Sequence, residues 1–299
     1  MKNIKYLRVV LLTFILMLLC ASTALASVFL AYPKKVGLGE PFMVRVTSDK
    51  PMESVSIDWK GKTVKPEIRK WRGRSVALAM FGTDVLFDKP GKEKLIIRTT
   101  SEGKERKFGR SVRVNKKKYK VQRLTLPKKM VTPPKEVYDK IARDRKEVKV
   151  AKDTMSAERM WFVPFQRPTK GGQSSPYGAQ RILNGKPKNP HRGLDFRGAK
   201  GTAVKAMADG KVVLVGEHYY AGNSIYLDHG NGVITMYFHL SRIDVKEGDT
   251  VERGQLLGGI GSTGRVTGPH LHMSVSVQGR LVDPNYIMYK NTDYLLGIK

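Results

Sequence analysis

Between residues 27 and 115 apolar and polar positions alternate in short runs. FMVRVTS, SVSIDWK, SVALAMF and KLIIRTT are each set off by Gly, Pro or Asp. Alternation at period two puts every second side chain on one face, so each run predicts a half-buried strand. Strands this short, at this spacing, predict an immunoglobulin-like β-sandwich. The pattern changes after residue 115. KKKYK opens a basic stretch, VTPP breaks the chain, and PKEVYDKIARDRKEV reads as a charged helix with Pro134 near its first turn. Val137, Ile141 and Val148 give that helix only a thin apolar stripe, which predicts a solvated linker lightly packed on a neighbour. From residue 161 strand-like runs return among many glycines: GKVVLVG, NSIYLDHG, GVITMYFHLS and HLHMSVSV. They predict an antiparallel β domain with loops over one face. The expected architecture is mostly β: a sandwich over 27–115, a basic, partly helical linker over 116–160, and a second β domain over 161–299.

One apolar run follows neither period. MKNIKYLR is basic through Lys2, Lys5 and Arg8, VVLLTFILMLLC follows, and ASTALA ends in Ala24-Leu25-Ala26. A basic start, a short apolar middle and a small-residue end predict a secretory signal peptide over 1–26, cleaved after Ala26. The apolar part is shorter than the roughly 20 residues of a membrane span, so no stable span is expected after cleavage. Leu19 stands before Cys20 where a lipoprotein signal would carry a small residue. Cys20 is the only cysteine. The exported chain is therefore expected to have neither a disulfide nor a Cys-ligated metal.

The formal net charge is +29. The surplus is uneven: residues 161–299 carry 17 Lys and Arg against 10 Asp and Glu, and residues 27–160 carry most of the remainder. Such a surface favours a polyanionic partner. For an exported chain that means wall polymer or anionic lipid, and no nucleic acid. The sandwich itself could space, bind wall or cover a site. The brief n-region and small total length of the export signal point to a periplasm, with the cell wall or the medium as alternatives; a monomer is expected.

The chemistry-bearing residues cluster late. HRGLD places His191 and Asp195 on a loop entering a strand, where imidazole and carboxylate can converge; both are suitable zinc ligands. GPHLH puts His270 and His272 at i and i+2, on one strand face. MYFHLS adds His239, which follows Tyr237 at the same period. No HExxH occurs, and Glu217, Glu247 and Glu252 sit in no motif, so the proton acceptors available to a hydrolytic site are imidazoles. His229 is expected to support a turn and His218 to lie exposed, while Tyr177 and Asn223 are candidates for a cleft wall. DGKVV with GDTVERGQLL is similar to biotinyl and lipoyl carrier domains, but no lysine stands at the required hairpin tip.

In order, SPYGAQRILNG, HRGLDF, DGKVV, YLDHGNGVITMYFHLS and VERGQLLGGIGSTGRVTGPHLHMSV resemble the lysostaphin-type (LytM-type) zinc metallopeptidases over roughly residues 161–290. The resemblance implies that His191, Asp195 and His272 bind one zinc ion. It implies that His239 and His270 are the catalytic histidines, with the choice of base between them open. It further implies an exported endopeptidase that cuts peptide cross-links in bacterial peptidoglycan. The alternatives are a non-catalytic wall-binding activator of other hydrolases and a secreted protease for glycine-rich peptides. All five positions carry the required residue types, which favours the enzyme over the activator.

Overall fold

A computed structural model of the chain describes residues 27–125 and 133–298. The expected signal peptide lies outside the described residues, as does part of the expected linker, 126–132.

The first alternating runs become nine strands: β1 (Val28–Ala31), β2 (Lys35–Gly37), β3 (Pro41–Ser48), β4 (Ser54–Trp59), β5 (Lys62–Val64), β6 (Ile68–Trp71), β7 (Arg74–Gly82), β8 (Gly91–Ser101) and β9 (Lys104–Asn115). They form two sheets, ordered β1-β3-β7-β6 and β2-β9-β8-β4-β5. One core lies between them, where Phe42, Val44, Ala79 and Phe81 meet Ile57, Trp59, Leu95 and Ile97. Trp59 stands edge-on to Phe42 at 5.0 Å and donates its indole N–H to the Gly82 carbonyl at 3.0 Å.

The alternation fails informatively in β3 and the end of β7, which are buried on both faces. Met43 and Met80 point away from the sandwich core. They join the core of the second half, together with Tyr177, Val282, Leu295 and Leu296. The outer face of the first sheet is thus the docking face of the sandwich.

That second half contains β10 (Val121–Leu124), α1 (Tyr138–Asp153), β11 (Gln173–Ser175), β12 (Gln180–Leu183), β13 (Lys186–Pro187), β14 (Leu194–Arg197), β15 (Ala203–Lys205), β16 (Gly210–His218), β17 (Gly222–Asp228), β18 (Val233–Ile243), β19 (Thr250–Val251), β20 (Leu256–Ile260), β21 (His270–Val277), β22 (Arg280–Val282), α2 (Pro284–Tyr289) and α3 (Thr292–Leu296). The main sheet runs β11-β14-β21-β18-β17-β16-β19, antiparallel throughout, with β15, β20 and β22 paired at its sides. No helix among the described residues is long and apolar enough to cross a membrane.

Two features depart from the expected linker. First, β10 pairs in parallel with β12, from Val121 opposite Gln180 to Leu124 opposite Leu183. Second, α1 is anchored rather than lightly resting. It buries Ile141 and Ala151, and Lys140 donates to the Glu217 carbonyl at 2.7 Å while Asp144 accepts from the Tyr219 amide at 2.6 Å. Its cover explains a second correction. His218, expected exposed, is buried, with Nδ1 2.6 Å from the Ser224 hydroxyl and Nε2 3.6 Å from Glu147.

Candidate active site

The site grows from two neighbouring strands, β14 and β21, in antiparallel register. Asp195 lies opposite His272, and Arg197 lies opposite His270. Paired residues share a face, so period two in both strands puts all four side chains on one side of the sheet. Leu271 and Met273, on the other face, are fully buried in the core and fix the direction of the strand. His191 arrives from the loop just before β14. Gly193 lets that loop close down on β21: a Cβ there would lie 2.5 Å from the Ser274 hydroxyl and 2.6 Å from His272 Nε2.

Three ligand-type atoms converge. His191 Nε2 lies 3.1 Å from Asp195 Oδ1, His272 Nδ1 lies 2.8 Å from the same oxygen, and the two nitrogens are 3.0 Å apart. Each ring is set by a partner on its far side. His191 Nδ1 donates to the Pro176 carbonyl at 2.9 Å, because a carbonyl can only accept. The Ser274 hydroxyl donates to the Arg192 carbonyl, so it accepts from His272 Nε2–H at 2.9 Å. His191 Nε2 and His272 Nδ1 are then lone pairs, facing each other and a carboxylate. Three acceptors in mutual contact call for a cation between them, and an N, O, N donor set suits a divalent transition metal. The residues present therefore fit a metal, which would be held by His191, Asp195 and His272. Burial by itself would raise the Asp195 carboxyl, but contact with the His191 and His272 rings outweighs it and holds the group well below the usual carboxylate range. Burial pushes the His272 imidazole down to about 4, against the opposing pull of Asp195. Both groups stay in the ligating form at neutral pH.

His239 reaches the same cleft by a route that period two does not predict. Regular alternation would send it to the face of Tyr237, which is fully buried and whose hydroxyl accepts from the Met207 amide and the Thr235 hydroxyl. Instead His239 has φ +65°, in the left-handed region that a non-glycine residue seldom adopts. The pairing of β18 with β17 and β20 shifts register at this point. Phe238 and His239 therefore both face the site. Phe238 stacks on His272, with centroids 5.4 Å apart and planes within 3°. The His239 ring lies 4.9 Å from the His270 ring. His239 Nδ1 donates to the Thr263 carbonyl and His270 Nδ1 to the Gly268 carbonyl, each at 2.9 Å, which leaves both Nε2 atoms as free acceptors. Burial, with His272 and His270 nearby, pushes His239 down to about 3.

All five expected residues come together: Asp195, His239, His270 and His272 line a cleft of about 630 Å³, and His191 lies buried behind it against Asp195 and His272. Other expectations do not survive. Tyr177 is buried at the docking face, donating to the Leu281 carbonyl at 2.7 Å and accepting from the Val85 amide at 3.2 Å. Asn223 donates to the Leu240 carbonyl within the sheet and lies outside the cleft lining. His229 is structural as expected, held between the Asp209 carbonyl and the Thr235 hydroxyl. No described residue of the sandwich lines the cleft; Gln122 and Thr125, at β10, do. The Ser175 hydroxyl touches His191 Nδ1 at 3.2 Å and donates to the Gln122 side chain at 3.3 Å. Ser274 was legible as the next residue on the histidine face of β21; Gln122 carried no local signal.

A model of Peptidase family M23 matches residues 189–284, a span that contains all five residues. The peptidoglycan DD-endopeptidase ShyA of Vibrio cholerae is 52% identical over 94 residues, 31% of this chain and 22% of that protein. The DD-carboxypeptidase/endopeptidase Mpg of Neisseria meningitidis is 44% identical over 94 residues, with the same two shares. The chain thus covers 22% of the length of each of these curated relatives. A crystal structure of a candidate peptidase M23 from Pseudomonas aeruginosa is 33% identical, covers 79% of this chain and 88% of that one, and superposes with a TM-score of 0.62.

Proposed function

This chain belongs to peptidase family M23, and from that premise we propose that it is an exported zinc metalloendopeptidase that hydrolyses peptide cross-links of bacterial peptidoglycan. The observation that carries this reading is the pairing of two groups in one cleft. A three-donor set of His191, Asp195 and His272 stands beside two further imidazoles with free Nε2 atoms. Three protein ligands leave a fourth position open, as a catalytic zinc requires and a structural zinc does not. One zinc per chain, bound there, supplies an acidified water and polarises the scissile carbonyl.

The chain's own residues do the rest. His239 and His270 flank the reacting position, one to accept the proton of the attacking water and the other to donate to the developing oxyanion or the leaving amine. Carbonyl anchors on both Nδ1 atoms hold the rings in that pose without side-chain rearrangement. Phe238 keeps the His272 ring in plane and excludes water from its far face. One of the two curated relatives is named a peptidoglycan DD-endopeptidase and the other a DD-carboxypeptidase/endopeptidase, and the peptidoglycan substrate is proposed for this chain on the first of these names. The monomer acts in the periplasm, where residues 27–299 remain after signal cleavage.

Residues 27–299 incubated with purified sacculi should release monomeric muropeptides at the expense of cross-linked dimers, read by mass spectrometry. A zinc chelator and the His239→Ala change should each abolish the release. Dimers that persist with fully zinc-loaded protein overturn the reading and point to a wall-binding activator.

A further inference from the structure

Three guanidinium groups line the cleft beside Asp195, His239, His270 and His272: Arg181, Arg197 and Arg265. Against them the lining offers one carboxylate, Asp195, which the metal would claim. Arg181 lies on β12, three-quarters buried, with Nη2 3.5 Å from Asp195 Oδ2. Its Nε is buried without a hydrogen-bond partner among the described residues. Arg197 projects from β14 directly across from His270, so its side chain starts one cross-strand step from a proposed catalytic group. No hydrogen bond or ion pair holds that side chain among the described residues. Arg265 sits in the loop before β21, over the Tyr220 ring at 4.5 Å. Burial lowers the Arg181 guanidinium from its ordinary value; Asp195 opposes that shift and the Arg265 charge adds to it.

Arg197 and Arg265 are exposed at the cleft rim and Arg181 lies deeper; like charges gathered there repel, and the Arg181 guanidinium, with its unpaired N–H, is costly to bury. The arrangement makes physical sense when an anion completes it. A carboxylate matches the planar guanidinium fork in shape and charge. We propose that Arg181, Arg197 and Arg265 form a carboxylate subsite, which selects peptides bearing a free carboxylate beside the scissile bond. This rests on the endopeptidase reading of the same cleft. Arg181 has a plain competing role, orienting Asp195 toward the metal, so the test separates the two.

The experiment measures binding first. The zinc-loaded His270→Ala protein is titrated calorimetrically with two peptides that differ only in a carboxylate or a carboxamide next to the scissile bond. The acid should bind roughly 10- to 100-fold tighter, the span expected of one charge-assisted pair. R197Q and R265Q, each in that background, should shrink the ratio while leaving zinc affinity unchanged in a chelator competition. Equal binding of acid and amide overturns the subsite. R181Q that lowers zinc affinity without changing the ratio removes Arg181 from it. Cleavage of the same peptides by wild-type protein tests the enzymatic reading separately: no cleavage of either peptide, with a large binding ratio, would sink the endopeptidase and keep the subsite.

Discussion

Asp84 is the residue by which the sandwich should govern the metal loop. It follows β7, is fully buried, and uses one oxygen within its own turn and the other across the docking face. Oδ1 accepts from the Leu86 amide at 2.8 Å; Oδ2 accepts from the Leu281 amide at 3.0 Å and from Arg192 at 3.3 Å. Asp84→Ala removes all three acceptances. Two backbone N–H groups are then left without partners, at about 1–3 kcal/mol each when buried. The Arg192 guanidinium is a quarter exposed, so the loss of its pair adds at most about 1 kcal/mol. The expected destabilisation is about 3–5 kcal/mol, a fall of roughly 10 °C in the melting midpoint for a chain of this size. Arg192→Met, which leaves both amides satisfied, should lower stability by no more than about 1 kcal/mol. Urea unfolding followed by tryptophan fluorescence reads both halves, because Trp59 lies in the sandwich core and Trp161 in the other. The same variant should also weaken zinc binding about tenfold, because Arg192 follows His191 and its carbonyl anchors the Ser274 hydroxyl that sets His272. A D84A midpoint within a degree or two of wild type would refute the seam. A large fall with unaltered zinc affinity would refute the coupling to the metal loop.

Three further outcomes follow from the site. Gly193→Ala forces a Cβ to within 2.6 Å of His272 Nε2, so chelator competition should show zinc affinity down at least about tenfold. Ser274→Ala frees His272 Nε2 without changing the fold; zinc affinity should fall roughly 10- to 100-fold with far-ultraviolet dichroism unchanged. In metal-free protein His272 and His239 protonate at about 4 and about 3, against about 6.5 when unfolded. Between those values the unfolded chain binds more protons, so stability must fall as pH drops from 7 to 5, by roughly 2 kcal/mol for each histidine. Urea midpoints at the two pH values check this, and equal midpoints would contradict it.

Local pattern carried the strands and the face shared by His270 and His272, because period two is a property of the residues themselves. It gave no account of how His239 reaches the site, since one left-handed residue cancels the alternation and no pattern of apolar positions announces it. What the sequence hid is non-local. His218 looked polar and free until α1, drawn from sixty-five residues or more upstream, covered it. Tyr177 was a candidate for the cleft wall; its ring instead fills the seam with the sandwich. Arg181 and Gln122 face the site only because β10 lies parallel to β12, a pairing that no short-range signal fixes.

The same pairing decides what removal of the sandwich should do. A module ahead of a catalytic domain invites the idea of a cover whose loss activates the enzyme. The arrangement here argues the reverse. No described residue of 27–115 lines the cleft, while Gln122 and Thr125 form part of its wall. A chain shortened to 133–299 would lose that wall and the Gln122 contact behind Ser175 and His191. It would also bare Leu295, Leu296 and Val282, now packed against Met43 and Met80. Exposed apolar surface of that kind weakens the fold and promotes association. The shortened chain should therefore melt lower and release fewer muropeptides per mole than residues 27–299, at equal zinc content. Higher release by the shortened chain would restore the cover, and would mean that the docking seam opens to admit substrate.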